Sequence, residues 1–302
     1  MAVLVTGIKG LVGSRVARLL LADGEDVIGV ARGGPPDPSR FGNGTLRFAE
    51  HDLADASALH ALVVASKPAG IVHCAAMTNV DACEREPALA WAVNVEATAA
   101  IARGAKDVGA RLVALSTDYV FDGTRGDYRE EDVPNPRGVY ARTKRAGEEA
   151  ALLLAPDCVV ARVSTIFTGD SRDKRTYAFD LASKLVAGTK SNVFHDQVVS
   201  PTHAENAAGM SVCALRSDVR GVLHCTGAEA LTRVHFAKRL AARLHADLDA
   251  IVPVALADLK LPAPRPLLSG LDVSKAKALF GDAGPWSLER ALDLFVREFR
   301  TP

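Results

Sequence analysis

Short apolar runs at Val3–Val5, Val27–Val30, Ile71–Cys74 and Leu112–Leu115 punctuate the first half of the chain. Each is flanked by Gly or Asp and lacks alternation, the pattern of a parallel strand buried on both faces. Between the runs, apolar residues return every three or four positions. Val12, Val16 and Leu19 mark one helix. Trp91, Val95, Thr98, Ile101, Ala105 and Val108 mark another, within 87–109. A helix over 138–154 and a strand near Val159–Val163 continue the series. Strands alternating with helices of this length predict crossovers and a parallel sheet.

After about residue 164 the regularity declines, and Pro201, Pro253, Pro262, Pro264 and Pro266 divide the chain into short pieces. Two helices stay legible, over 231–245 and 287–299. The second carries Leu288, Leu292, Phe295 and Phe299 along one face, and Val234, Leu240 and Leu244 in the first read as core. This part is expected to form a smaller domain over the open end of the first.

Composition narrows the class. The 302 residues carry 36 Lys plus Arg against 36 Asp plus Glu, so formal charge is zero. Nucleic-acid binding rests on a basic excess, and its absence argues against that partner. The five cysteines (Cys74, Cys83, Cys158, Cys213 and Cys225) are scattered and odd in number, which suits free thiols in a reducing cytoplasm better than disulfides or zinc. No apolar stretch approaches the roughly 20 residues of a membrane span, and the opening residues do not read as a signal peptide. No membrane partner is expected, and the expected compartment is the cytoplasm. The eight histidines show no metal-ligand spacing, so no metal is expected. His195 and the charged run Arg172–Arg175 read as loop features.

The densest chemistry follows the first strand, in Thr6-Gly7-Ile-Lys9-Gly10-Leu11-Val12-Gly13. Gly7 permits a turn that a Cβ would forbid, Gly10 lets the backbone approach a pyrophosphate, and Gly13 lets the helix pack closely on the strand. The helix N-terminus then offers unpaired N–H groups to phosphates. The expected fold class is α/β: a Rossmann-type doubly wound parallel sheet with a smaller α/β substrate-binding domain.

The second strand ends in Arg32, with no carboxylate until Asp37. An acidic residue there would suit NAD, whereas a guanidinium suits the 2′-phosphate of NADP. NADP is therefore the expected cofactor, NAD the alternative, and a solvated loop arginine the plain reading. Asp52, with Leu53 beside it, follows the third strand and is placed to reach the adenine. Residues 1–163 with a return segment near 204–225 are expected to bind NADP. Residues 164–203 and 226–302 are expected to bind substrate.

Tyr140-Ala-Arg-Thr-Lys144 lies near the start of a helix. Residues four apart share a face, so phenol and ammonium point into one space, and the cation is expected to lower the tyrosine pKa. Ser116 and Thr117 end the strand upstream. Together with the glycine loop these make the pair a candidate catalytic unit rather than an ordinary surface pair.

The sequence resembles the extended short-chain dehydrogenases/reductases, and within them the dTDP-4-dehydrorhamnose reductases. Further blocks carry the resemblance: Asn79-Val-Asp81-Ala-Cys-Glu84, Asn94-Val, Ser116–Gly123, Tyr128–Asp132, Asp196-Gln197-x-x-Ser-Pro201-Thr202, and Arg265-Pro266-x-x-Ser269-x-Leu271. The resemblance implies a triad in which Tyr140 protonates a ketone, Lys144 holds the nicotinamide ribose, and Thr117 bonds the carbonyl. It places Ala75, Ala76, Met77 and Ser116, with Tyr140 and Lys144, along the cofactor, Asp118, Tyr119 and Thr165 at the sugar, and Arg265 toward the substrate. Arg162-Val-Ser164-Thr165 departs from the related enzymes, which commonly carry tryptophan where Thr165 stands. A different nucleotide-linked 4-keto-deoxysugar is therefore as open as the rhamnose precursor.

The implied function is NADP(H)-dependent reduction of such a nucleotide-linked sugar. Two alternatives stand beside it: a non-catalytic NADP-binding subunit similar to the regulatory β subunit of methionine adenosyltransferase, and a nucleotide-sugar epimerase. The apolar face of helix 87–109 serves either the sheet or a homodimer.

Overall fold

A computed structural model describes residues 2–301. Its first half runs β1 (Ala2–Thr6), α1 (Leu11–Ala22), β2 (Asp26–Ala31), β3 (Leu46–Glu50), α2 (Ala56–Ser66) and β4 (Gly70–His73). Then come α3 (Val80–Arg85), α4 (Pro87–Trp91), α5 (Ala97–Val108), β5 (Arg111–Thr117), α6 (Gly138–Leu154) and β6 (Cys158–Val163). The second half begins with β7 (Ile166–Phe167), α7 (Tyr177–Val186), β8 (Ser191–Phe194), β9 (Val198–Val199), β10 (Thr202–His203) and α8 (Ala204–Arg216). It ends with β11 (Gly221–His224), β12 (Leu231–Thr232), α9 (Arg233–Leu244), β13 (Ile251–Val254), α10 (Ser274–Phe280) and α11 (Leu288–Arg300).

Among the described residues, seven strands form one parallel sheet in the order β11-β6-β5-β4-β1-β2-β3. Its two faces are covered differently. Val3, Val5, Val27, Val72 and Val159 pack under α1 and α8, while Leu4, Ile28, Ile71, Leu112 and Val160 pack under α2, α5 and α6. Successive strand residues thus enter opposite cores, which is why the runs read as uniformly apolar. The chain reverses its winding between β1 and β4, the point where open α/β sheets leave a crevice at the strands' carboxyl ends.

A separate core joins Phe167, α7, α9 and α11, with Phe295 and Leu240 at its centre. Helices α7, α8 and α10 were not legible in the sequence. In α8 (Ala-Glu-Asn-Ala-Ala-Gly-Met-Ser-Val-Cys-Ala-Leu-Arg) buried positions lie nearly all round, so there is no apolar stripe to read.

The expected apolar stripe of 87–109 needs one correction. A π-helical turn at Ala92–Glu96 sits between α4 and α5, and Trp91 is 48% exposed. The wider turn shifts the register, so Val95, Thr98, Ile101 and Ala105 face inward while Trp91 faces out. The charged run 172–175 is also only partly solvated. Asp173 is buried against Arg15 of α1 and Arg40, tying this loop to the first helix.

Candidate active site

The glycine loop closes tightly. Gly7 has φ 68°, and a Cβ on it would stand 3.0 Å from the Ala75 backbone. A Cβ on Gly13 would stand 2.3 Å from the Gly7 carbonyl, so α1 packs against the turn only without a side chain there. Gly10 caps α1 without a side-chain bond, which leaves first-turn donors at Leu11 and Val12 for an anion. This uncapped N-terminus over a side-chain-free turn fits a dinucleotide pyrophosphate.

Lys9 has a different task. Its ammonium donates to the carbonyls of Arg32 (2.7 Å), Gly33 (2.8 Å) and Gly34 (3.3 Å), which uses its three donors and pins the turn after β2. Arg32 is 73% exposed and lies 3.5 Å from the Asp52 carboxylate, with Leu53 beside it. Ala75, Ala76 and Met77 leave β4 half-buried. Met77 is held by Asn94 in the π turn, which takes the Met77 N–H (2.9 Å) and donates to the Met77 carbonyl and to Thr143 of α6. Asn94 therefore couples the expected cofactor-lining segment to the expected catalytic helix.

Helix α6 starts at Gly138, and Glu84 of α3 accepts the Val139 N–H at 2.7 Å, one residue before Tyr140. A carboxylate at a helix N-terminus is favourable and fixes where the helix begins. The Tyr140 ring meets Tyr119 edge to face at 5.7 Å. Thr117 ends β5, accepts the Tyr119 N–H and donates to Asp118. Lys144 is buried and donates to the Leu115 carbonyl at 2.8 Å. Tyr140, Lys144 and Thr117 thus converge at the carboxyl end of β5. Ser116 is buried and faces Glu148, one turn beyond Lys144.

The tyrosine's titration runs opposite to the sequence expectation. Burial pushes the Tyr140 phenol up, against a hydrogen bond with Thr117, and the negative charge of Asp118 adds to the rise. Lys144 is itself brought down to about 8 by burial, with Glu148 and Cys74 opposing the fall. Desolvation outweighs any help the ammonium gives the phenolate.

Asp118 is buried rather than open to a sugar. It accepts from Ser164 (2.9 Å), Ser269 (2.6 Å) and Thr117 (3.2 Å), and so joins the β5 end to both loops of the second half. Burial pushes its carboxyl up, and these three hydroxyls oppose the rise. Thr165 follows at φ 40°, a strained setting for a β-branched residue, with its carbonyl bound by Thr202. Arg265 bridges to Asp81 of α3 at 2.8 Å and to the Ala263 carbonyl. His73 is a structural histidine between Thr6 and Thr98, brought down to about 3 by burial. Among the described residues no group of three or more His, Cys, Asp or Glu could hold a metal, and no helix is long and apolar enough to cross a membrane.

A family model described as RmlD substrate binding domain matches residues 1–300. The chain belongs to this family. It is 34% identical over 286 residues to a Haloferax volcanii protein named "Probable low-salt glycan biosynthesis reductase Agl14", covering 93% of each. It is 31% identical over 285 residues to methionine adenosyltransferase 2 subunit beta of Bos taurus, covering 92% of this chain and 82% of the relative. The solved dTDP-4-dehydrorhamnose reductase of Yersinia enterocolitica superposes with a TM-score of 0.86 at 28% identity, over 99% of each chain. The RmlD-family chain thus has the Rossmann-like fold of extended short-chain dehydrogenases/reductases that its motifs implied.

Several residues of the RmlD-family site were quoted in motif blocks but given no place by sequence reasoning. Asp81, Glu84, Asn94 and Gln197 act through contacts with residues far away in the chain. Glu148 had a local signal, its position four residues after Lys144 on one helix face. Arg233 had none.

Proposed function

We propose that this RmlD-family chain is an NADP(H)-dependent reductase of a nucleotide-linked 4-keto-deoxysugar. The observation that carries the reading is the convergence of Thr117, Tyr140 and Lys144 at the carboxyl end of β5, beside the glycine turn's neighbour Ala75. In this reading residues 1–163 with 204–225 hold the cofactor, and 164–203 with 226–302 cover the sugar.

The bound nicotinamide would supply hydride to the ketone carbon. Tyr140 gives its hydroxyl proton to the ketone oxygen, Thr117 bonds that oxygen, and solvent restores the tyrosine proton. NADPH, a proton and the ketone become NADP⁺ and the alcohol. Tyr140 carries its proton at neutral pH, as any tyrosine does whose pKa burial raises above the ordinary value. Lys144 would hold the nicotinamide ribose while charged. The decisive experiment is NADPH oxidation by the purified protein against a panel of nucleotide-linked 4-keto sugars, with mass analysis of products. No turnover of any member would overturn the reading.

The pH profile should separate the two groups. Lys144 is cationic below about 8 and neutral above it. kcat/KM for reduction is therefore expected to hold level below that pH and to decline through it. A profile level to about pH 10 would show that the ammonium is not required.

Arg32 is proposed to meet the 2′-phosphate. Arg32→Ala should weaken NADPH by roughly 10- to 100-fold, the scale of charge-assisted hydrogen bonds, and NADH far less. Equal losses in fluorescence titrations would rule this out.

The bovine β-subunit relative favours a second reading, a non-catalytic NADP-binding partner. Keto-sugar turnover by the isolated chain would dismiss it.

A further inference from the structure

Arg233 opens α9 directly after β12, and both its backbone and its guanidinium are held in place. Its backbone N–H donates to the Gln197 backbone carbonyl at 3.0 Å, and its guanidinium Nε donates to the Gln197 side-chain carbonyl. Its Cζ lies 4.8 Å over the Tyr177 ring. Gln197 is itself buried and donates to the Pro266 carbonyl at 3.0 Å, next to Arg265. A long side chain fixed in this way has already lost the freedom that binding would otherwise remove.

The charge balance sets Arg233 apart from its neighbour. The terminal nitrogens of Arg265 are engaged by Asp81 and Ala263. Arg233 makes no ion pair with any carboxylate among the described residues, and its two terminal nitrogens are not committed to a protein acceptor there. Its field reaches Tyr119, whose phenolate it favours, and the Tyr119 ring lies 5.7 Å from Tyr140. A half-buried, oriented and uncompensated guanidinium near the catalytic tyrosine is a receptor for an anion. A planar fork matches phosphate oxygens two at a time.

We propose that Arg233 receives the diphosphate of the nucleotide-linked substrate, with Gln197 and Tyr177 presetting its fork. This rests on the substrate class proposed above, and sequence spacing gave no hint of it.

Calorimetric titration with thymidine 5′-diphosphate and uridine 5′-diphosphate tests the assignment, with thymidine as the uncharged control and NADPH as the control for folding. The intact protein is expected to bind at least one diphosphate and to bind thymidine much more weakly. Arg233→Gln should weaken the diphosphate by roughly 10- to 100-fold, leave NADPH affinity unchanged, and raise KM more than it lowers kcat. Arg233→Lys, which keeps the charge and loses the fork, should fall between the two. Undiminished diphosphate binding by Arg233→Gln would overturn the role of Arg233 alone. An intact protein that binds NADPH but neither diphosphate would overturn the substrate class with it. If Arg233→Gln fails to fold, full affinity in Arg233→Lys would overturn the fork-based contact.

Discussion

Tyr140→Phe is expected to lower turnover by roughly 10²- to 10⁴-fold, the range that a positioned general acid contributes. The substitution removes one hydroxyl from a ring whose place is set by Tyr119 and by the α6 start at Glu84, so the geometry should survive. NADPH affinity should be nearly unchanged, because the glycine turn, Arg32 and Lys144 proposed to hold the cofactor are left intact. Stopped-flow or steady-state NADPH oxidation, paired with fluorescence titration, reads both quantities. Normal reduction by the variant would remove Tyr140 from the mechanism. Loss of NADPH binding in parallel would mean that the hydroxyl serves the cofactor instead.

Glu148→Ala should cost about 3–5 kcal/mol of folding stability, the scale for stranding one member of a buried ion pair. Glu148 and Arg162 are each 1% exposed and form two parallel bonds of 2.8 Å, with Arg162 also stacked over Phe121. Burial alone pushes the Glu148 carboxyl up. Arg162, with Ser116 and Arg145, holds it below the usual range. Removing the carboxylate leaves a guanidinium enclosed without a counter-charge. Arg145 also touches Glu148 but is 27% exposed, so Arg145→Ala should cost under about 1 kcal/mol. Urea unfolding of the two variants gives the comparison. Similar small losses in both would mean that water reaches Arg162.

The five inner strands of the parallel sheet were legible because each serves two cores at once, and Val3–Val5 or Leu112–Leu115 then has no polar face. Helices with one wet side, such as 231–245 and 287–299, were legible for the opposite reason. What escaped notice had neither signature. Strands β7, β9, β10 and β12 are two residues each, too short for any period. Helix α8 is buried on most sides, and the π turn at Ala92–Glu96 reset a register that looked continuous. In the site, Tyr140 and Lys144 were visible as a four-residue spacing. The direction of the tyrosine's pKa was not, because it depends on enclosure rather than on its neighbour in sequence.

By itself the sequence determined the alternation of strands and helices in the first half, the glycine turn after β1, and the shared face of Tyr140 and Lys144. All of these are set by residues within one or two turns of each other. Only the tertiary structure decided which charged groups are free to act. Asp81 meets Arg265 across 184 positions and Asp118 meets Ser269 across 151, so Arg265 is largely neutralised and Asp118 is enclosed. Arg233, held by Gln197 across 36 positions, keeps its charge. Desolvation and charge pairing sum over everything packed around a group, and packing joins residues whose separation along the chain leaves no local pattern.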